Sequence, residues 1–126
     1  MSAESTVQAY YEALRRGEPL DAFFAETPGV WKGAISTNYV GYDAVSEALR
    51  EQTRTTEDWT VESRALAVHE RETFATFTDE VRLAWADSDG ARHEFDTRWS
   101  GTLVPVGDEE REWAFETMHV SAARDL

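Results

Sequence analysis

Cysteine is absent from this chain of 126 residues, and lysine occurs once, at Lys32, among 12 basic residues. Without thiols the chain can form no disulfide, no thiolate nucleophile and no cysteine-ligated zinc or iron–sulfur centre. No apolar run approaches the roughly 20 residues of a membrane span, and residues 1–15 lack the apolar core of a signal peptide. We therefore expect a soluble, cytoplasmic protein.

Basic residues are scarce as a class, since 25 acidic side chains stand against 12 basic ones and the formal net charge is −13. Nucleic acids and anionic membranes are bound through a basic face, so neither is expected as a partner. The acidic residues are spread over every segment and arginine replaces lysine, which is typical of a surface adapted to high salt. We predict a halophilic source; a cationic partner or substrate is the alternative.

Apolar and aromatic residues, by contrast, are plentiful. The hydrophobic fraction is 41%, and the chain contains five tryptophans, four tyrosines and six phenylalanines. This composition provides a core and argues against disorder. The length fits one domain, and no repeat or linker divides the chain. A single domain over residues 1–126 is expected.

The first half of the chain has helical spacing. Apolar residues recur at intervals of three and four in 5–16, where Ser5 and Gln8 have the spacing of a capping box. A short second helix is expected over 20–25, and a third should begin near Asp43, a good N-cap residue. Three N-terminal helices are therefore predicted.

Strand alternation dominates the second half. One strand is expected over 30–35, and the others are predicted at about 59–69, 73–86, 92–105 and 112–121. Helices followed by a run of strands are typical of an α+β fold in which the helices pack on one face of an antiparallel sheet.

The hairpin around Gly90 can be given a register. A three-residue loop with Gly90 in the left-handed conformation is a common hairpin type, and it places Asp79 opposite Trp99 and Arg82 opposite Asp96. Opposite charges then face each other, and polar and apolar residues separate onto two faces. The mostly apolar face would consist of Phe77, Asp79, Val81, Leu83, Trp85, Phe95, Trp99 and Leu103.

Three local motifs carry a resemblance to a known family. They are Tyr11-Glu-Ala-Leu-Arg-Arg-Gly17 followed by Leu20-Asp-Ala-Phe-Phe24, then Gly41-Tyr-Asp-Ala-Val45, and Arg98-Trp-Ser-Gly-Thr-Leu-Val104 with Trp113-x5-His119-x-Ser121. In this order they resemble the SnoaL-like branch of the nuclear-transport-factor-2-like superfamily, from about residue 7 to 121. The resemblance implies a cone-shaped, curved antiparallel sheet wrapped around three helices, with a cavity and a homodimer formed through the sheet.

The resemblance also invites comparison with the steroid isomerases of the superfamily. Tyr11 matches the position of their oxyanion donor, but the position of their aspartate base falls on Lys32. Their second acid has no clear counterpart, since Asp96 lies on the face opposite Trp99. We therefore do not expect isomerase chemistry with these groups, because two of the three catalytic residues, the base and the second acid, are missing.

Asp79 and His119 are the candidate acid–base residues. Asp79 interrupts an apolar face, and a buried carboxylate needs partners, so it could act on a ligand; alternatively it is structural, solvated near a strand end or bonded to the indole N–H of Trp99 or Trp113. His119 should share a face with Trp113, Phe115, Thr117 and Ser121, either as a catalyst or as a hydrogen-bonded structural residue.

Arg98 could grip a small carboxylate with its guanidinium group, as the similar strand positions do in the kinase association domains of the superfamily. Alternatively it forms a surface ion pair with Glu80. The choice depends on which face of the sheet is concave, and the sequence leaves this open. No metal site or cofactor is expected, because the three histidines, His69, His93 and His119, are far apart and follow no ligand spacing.

Three functions remain open at this stage. The first is binding of a small, mostly apolar ligand, with Tyr11, Trp31, Arg98, Trp99, Trp113 and His119 around the pocket. The second is an isomerase, lyase or cyclase that uses Asp79 or His119 as the acid–base group and Tyr11 as oxyanion donor. The third is an oligomerisation module. A fold of this kind does not choose among them.

Overall fold

The computed structural model describes residues 2–107 and 112–123; it begins with a helix, and two short strands precede the second α-helix. The elements in chain order are α1 (Ala3–Arg16), a 3-10 turn (Asp21–Phe23), β1 (Trp31–Gly33), β2 (Asn38–Val40), α2 (Tyr42–Thr55), β3 (Thr56–Ser63), β4 (Ala67–Glu70), β5 (Ala75–Asp87), β6 (Arg92–Pro105) and β7 (Trp113–Ala122). This arrangement confirms the predicted α+β class.

Helix α1 begins one turn earlier than the capping-box spacing predicted. Ser2 is the N-cap: its hydroxyl accepts a hydrogen bond from the Ser5 backbone N–H at 3.1 Å, and the Ser5 hydroxyl accepts one from the Ser2 backbone N–H at 2.9 Å. The helix ends at Gly17, whose φ of 68° is left-handed. The apolar side of α1 faces the core through Val7, Tyr10, Tyr11 and Leu14.

The other two helices also differ from expectation. The second is only a 3-10 turn, because Phe24 is extended and its neighbour Ala25 donates a backbone hydrogen bond to Phe115 of β7 at 2.9 Å. The third, α2, has Gly41 as its N-cap rather than Asp43, which lies in its first turn. The helices therefore pack against the sheet where predicted, with shifted ends.

The strands form one curved sheet in the order β2-β1-β7-β6-β5-β3, with β4 also paired to β5. The expected strand 59–69 is split into β3 and β4, and β2 was not predicted. The sheet is mixed rather than wholly antiparallel, since β1 runs parallel to β7. A parallel pair is possible because the chain between these two strands is long and includes α2.

The hairpin register is confirmed. Asp79 lies opposite Trp99 and Arg82 opposite Asp96, and Gly90 is left-handed with φ 82°. The guanidinium of Arg82 contacts the Asp96 carboxylate at 3.1 Å and that of Glu94 at 3.1 Å.

A β-bulge in β7 changes which side chains share a face. Thr102 pairs with Thr117 whereas Leu103 pairs with Phe115, so Glu116 is an extra residue in the ladder. The alternation therefore reverses at Glu116. The expectation that His119 shares a face with Trp113 and Phe115 is wrong.

The apolar face of the sheet is the concave, inner face and packs on the helices. The Tyr10 ring of α1 makes edge contacts with Trp99 and Phe115 at centroid distances of 6.1 and 5.4 Å. Phe77 and Leu103 are also buried on this face. Arginines of β5 and β6 consequently look outward, which answers the question that the sequence left open.

Candidate functional site

A cavity of about 340 Å³ opens between α2, the β1–β2 hairpin and the inner face of the sheet. Much of its wall is aromatic, with rings from Tyr10, Tyr39, Trp59, Trp85 and Trp99. Trp59 and Trp85 stack on each other with a centroid distance of 4.8 Å. The size falls in the range of small-molecule sites, and flat rings of this kind are good surfaces for an apolar ligand.

Lys32 is the buried charged residue in this wall. Side chains of β1 alternate, so Trp31 points to the outer face while Lys32, beside Met118 of β7, points inward. The side chain of Lys32 is 6% exposed, borders the cavity and has no hydrogen-bond or ion-pair partner among the described residues. Burial lowers the pKa of Lys32 from 10.5 to about 8, because an apolar environment disfavours the ammonium.

The acidic side chain at the cavity is Glu51 of α2, on the part of the wall nearest to solvent. It is exposed and forms an ion pair with Arg54 of the same helix. The remaining polar groups of the wall are uncharged hydroxyls and an amide, from Ser36, Thr37, Gln52, Thr55 and Thr56 in addition to the tyrosines. Lys32 is therefore an ammonium in a largely apolar and neutral surrounding.

Asp79 lies on the same inner face, in a cluster of its own. Its carboxylate accepts hydrogen bonds from the hydroxyls of Tyr11 at 2.8 Å and Ser63 at 2.6 Å, and from the backbone N–H of Ala65 at 2.9 Å. With three donors, this 4%-exposed carboxylate is well satisfied. The indole N–H of Trp99, one of its expected partners, donates instead to the hydroxyl of Thr97 at 2.9 Å.

The two tyrosines of α1 stay protonated. Burial raises the pKa of Tyr10 well above its ordinary value. Burial also raises the pKa of Tyr11, and the hydrogen bond to the Asp79 carboxylate raises it further. Because the Tyr11 hydroxyl already donates to Asp79, its proton is not offered to a ligand oxygen.

The outer face of the sheet carries a second, more open depression of about 490 Å³. Its border includes Arg98, Ser100, His119 and Ser121. Arg98 lies opposite Glu80 on the neighbouring strand, as the register predicted. The exposed His119 ring lies 5.7 Å from that of Trp31, so these two rings cover part of the outer face.

Comparison with known protein families identifies the family of this chain. The model of the SnoaL-like domain matches residues 3–125. The chain belongs to the SnoaL-like domain family. No curated protein matches the sequence.

Solved structures show the same fold for this SnoaL-like domain. A nuclear transport factor 2-like superfamily protein from Salmonella enterica has a TM-score of 0.82 at 16% identity, over 96% of this chain and 88% of that one. A candidate dehydratase of the NTF2-like family from Streptomyces avermitilis has 0.83 at 16%, over 97% and 94%. A ketosteroid isomerase-like protein from Erwinia carotovora has 0.74 at 16%, over 97% and 94%. At this identity the likeness concerns the fold only.

The predicted site residues of the SnoaL-like domain divide between the two faces of the sheet. Tyr11, Asp79, Trp99 and Trp113 are buried on the inner side, whereas Trp31, Arg98 and His119 lie on the outer side. Of these seven, Trp99 is the one that borders the inner cavity. The structure thus joins Tyr11 and Asp79 by a hydrogen bond, whereas His119 borders the outer depression, whose lining also includes Asp79 and Trp99.

Sequence reasoning missed Lys32 as a site residue and chose its neighbour Trp31. In a three-residue strand the alternation has too few members to show which side chain points inward. Two signals were present: Lys32 is the only lysine, and the resemblance placed it where the steroid isomerases have their base. Tyr10, Trp59 and Trp85 were not separated from ordinary core residues, since aromatic side chains fill cores as readily as they line cavities.

Two kinds of feature, a metal-binding group and a membrane-spanning helix, are not found in residues 2–107 and 112–123. No group of three or more histidine, cysteine or acidic side chains is placed there to hold a metal ion. No helix in these ranges has the length and hydropathy needed to cross a membrane.

Proposed function

We propose that this SnoaL-like domain binds a small, mostly apolar molecule in the inner cavity and does so without catalysis. The observation that carries the proposal is the cavity itself, about 340 Å³, with a mostly apolar wall that includes five aromatic rings. Buried apolar surface is the main source of affinity in pockets of this kind, and a few polar groups orient the ligand.

The aromatic wall favours a flat or cyclic ligand. Trp59 and Trp85 are half-buried and stack on each other, while Tyr10 and Trp99 are buried and hold an edge-to-face geometry. These rings are fixed by contacts with one another and with the core, so little conformational freedom is lost when a ligand enters. A ligand that covers them replaces water on apolar surface.

The acid–base groups considered from the sequence do not supply a competing mechanism at this cavity. Asp79 uses its carboxylate to hold Tyr11, Ser63 and the backbone of Ala65. His119 lies on the opposite face of the sheet, beside Trp31. General acid–base catalysis needs its groups within hydrogen-bond reach of one substrate, and a ligand in the inner cavity does not meet His119.

Tryptophan fluorescence can test the binding, because Trp59, Trp85 and Trp99 border the cavity. Naphthalenemethanol, a neutral and flat probe, should change the emission saturably. Ala48→Phe, which adds a ring on the cavity side of α2, should weaken binding by about tenfold. Ala44→Phe, an exposed position one turn earlier on the same helix, is the matched control and should bind as the natural chain does.

Two results would contradict the proposal. One is the lack of any saturable change with naphthalenemethanol and with related flat apolar probes in the natural chain. The other is equal weakening by Ala48→Phe and Ala44→Phe, because binding would then occur outside the cavity.

A further inference from the structure

The only lysine of the chain is almost fully buried, and its unpaired nitrogen keeps only a small contact with solvent. Lys32 is 6% exposed, and an ammonium moved into an apolar environment without a partner loses much of its favourable hydration. Buried charges in proteins are therefore usually paired. Among the described residues Lys32 has no such pair, although its side chain reaches the wall of a cavity.

We propose that the cavity ligand carries a carboxylate that pairs with the ammonium of Lys32, so that the ligand class is a flat, apolar carboxylic acid. The inference rests on the proposed binding function and adds the chemistry of the ligand's polar end. The aromatic rings hold the apolar body, and Lys32 marks where the acidic group lies.

No carboxylate of the described residues pairs with Lys32, since Glu51 in the cavity wall is paired with Arg54. Ammonium–carboxylate hydrogen bonds are short and stronger than neutral ones, and their strength increases where water is excluded. A ligand acid would compensate the buried charge at the moment of binding. A ligand amine, by contrast, would place a second cation beside Lys32.

The other titratable and charged groups around the cavity do not take this role. Tyr10 of α1 is kept neutral by burial, which raises its pKa. Tyr39 of β2 contributes a phenol, and Glu51 of α2 is exposed and paired with Arg54. The bordering side chains of β3, β5, β6 and β7 are Thr56, Trp59, Leu83, Trp85, Trp99 and Val120, which carry no charge.

The test compares two probes of nearly equal shape, naphthoic acid and naphthalenemethanol, at about pH 6.5, where Lys32 is charged. The natural chain should bind the acid at least about tenfold more tightly than the alcohol. In Lys32→Met the preference should disappear because affinity for the acid falls, while the alcohol should bind as before. Arg82→Met removes a charge from the outer face of the same sheet and should leave both affinities unchanged.

The outcomes separate this inference from the proposed function. If the natural chain binds the alcohol and the acid equally, and Lys32→Met changes neither, the carboxylate proposal is overturned while cavity binding stands. If neither probe binds in the cavity, both proposals fail. If Arg82→Met loses the acid preference as fully as Lys32→Met, the effect is one of general charge and the pairing is refuted.

A second readout uses the fact that the chain contains a single lysine. Lysine labelled with carbon-13 at Cε gives one side-chain signal, so the titration of Lys32 can be followed directly by NMR. Naphthoic acid should shift this titration to higher pH, because a nearby carboxylate favours the ammonium. Naphthalenemethanol should not raise it, and an unchanged midpoint at saturating acid would overturn the pairing.

Discussion

Asp79 and Lys32 lie on the same inner face of the sheet and are almost equally buried, yet their surroundings are opposite. Asp79 accepts three hydrogen bonds from Tyr11, Ser63 and Ala65. Lys32 has no partner in the part of the chain that the structure describes and borders a cavity. Burial alone therefore does not identify a functional charge. A satisfied carboxylate supports the fold, whereas an unsatisfied ammonium beside a cavity points to a ligand.

The largest expected effect is the loss of the Asp79 cluster. Asp79→Ala leaves two hydroxyls and a backbone N–H without their acceptor, so the free energy of unfolding should fall by roughly 3–4 kcal/mol. Urea denaturation measures it. Asp96→Ala removes an exposed carboxylate opposite Arg82 and is the control, with an expected loss below about 1 kcal/mol. An equally small loss of stability for Asp79→Ala would contradict the view that the Asp79 cluster supports the fold.

Lys32→Met should change the free energy of unfolding in the opposite direction and raise it by about 1–3 kcal/mol at neutral pH. The reason is that an unpaired buried charge is replaced by an apolar side chain of similar length. Thermal denaturation of the ligand-free protein at about pH 7 measures it. A loss of stability would mean that Lys32 supports the fold, and its contrast with Asp79 would be lost.

The same lysine predicts how stability depends on pH. Its pKa is about 8 in the folded chain and 10.5 ordinarily, so between these values the unfolded chain binds more protons and stability should rise with pH. Above about pH 10 the raised pKa values of Tyr10 and Tyr11 act in the other direction, since the unfolded chain then loses their protons first. Urea denaturation at several pH values should show the rise in the natural chain, and a variant Lys32→Met that rises as steeply would contradict the assignment.

Tyr11→Phe tests a single donor of the Asp79 cluster. It removes the hydroxyl that donates to Asp79 but keeps the ring that packs on Trp99. The free energy of unfolding should fall by about 1–2 kcal/mol, and binding of naphthalenemethanol should not change. Reduced probe binding in a fully folded Tyr11→Phe protein would show that the cluster belongs to the binding site.

The smallest effect is expected on the outer face. Arg82→Ala removes ion pairs with Glu94 and Asp96, which should lower the free energy of unfolding only slightly, and not measurably in about 1 M KCl. The loss caused by Asp79→Ala should persist in that salt, since its cluster is buried.

For the natural chain, the net charge of −13 predicts a melting temperature that rises from low salt to molar KCl, and a flat response would contradict the predicted halophilic source.

Much of the fold followed from local patterns. The register between β5 and β6 was predictable because Gly90 fixes the turn and a one-residue slip would mix polar and apolar faces. The start of α1 was missed by a turn because Ser2 and Ser5 form their capping box without glutamate or glutamine. The split of the strand 59–69 and the parallel pairing of β1 with β7 are decided by contacts distant in sequence.

The candidate site was less predictable, for reasons that particular residues show. His119 was expected beside Trp113 and Phe115, but the bulge at Glu116 reverses the alternation, and bulges leave little trace in composition. Trp31 was chosen over Lys32 because a three-residue strand does not reveal which residue points inward. In both cases an error of one position moves a side chain to the other face of the sheet.

The α+β class, the hairpin register, the family motifs and the strongly acidic composition could all be derived from the order of the residues. These depend on alternation, turn chemistry and charge, which act over a few residues or over the whole surface. Three features became known from the folded chain alone. They are the concave face of the sheet, the hydrogen bonds of Asp79 with Tyr11 and Ser63, and the unpaired position of Lys32 at the cavity. These features depend on groups brought together by the curvature of the sheet, whose hydrogen bonds and exclusion of water arise only when distant segments meet.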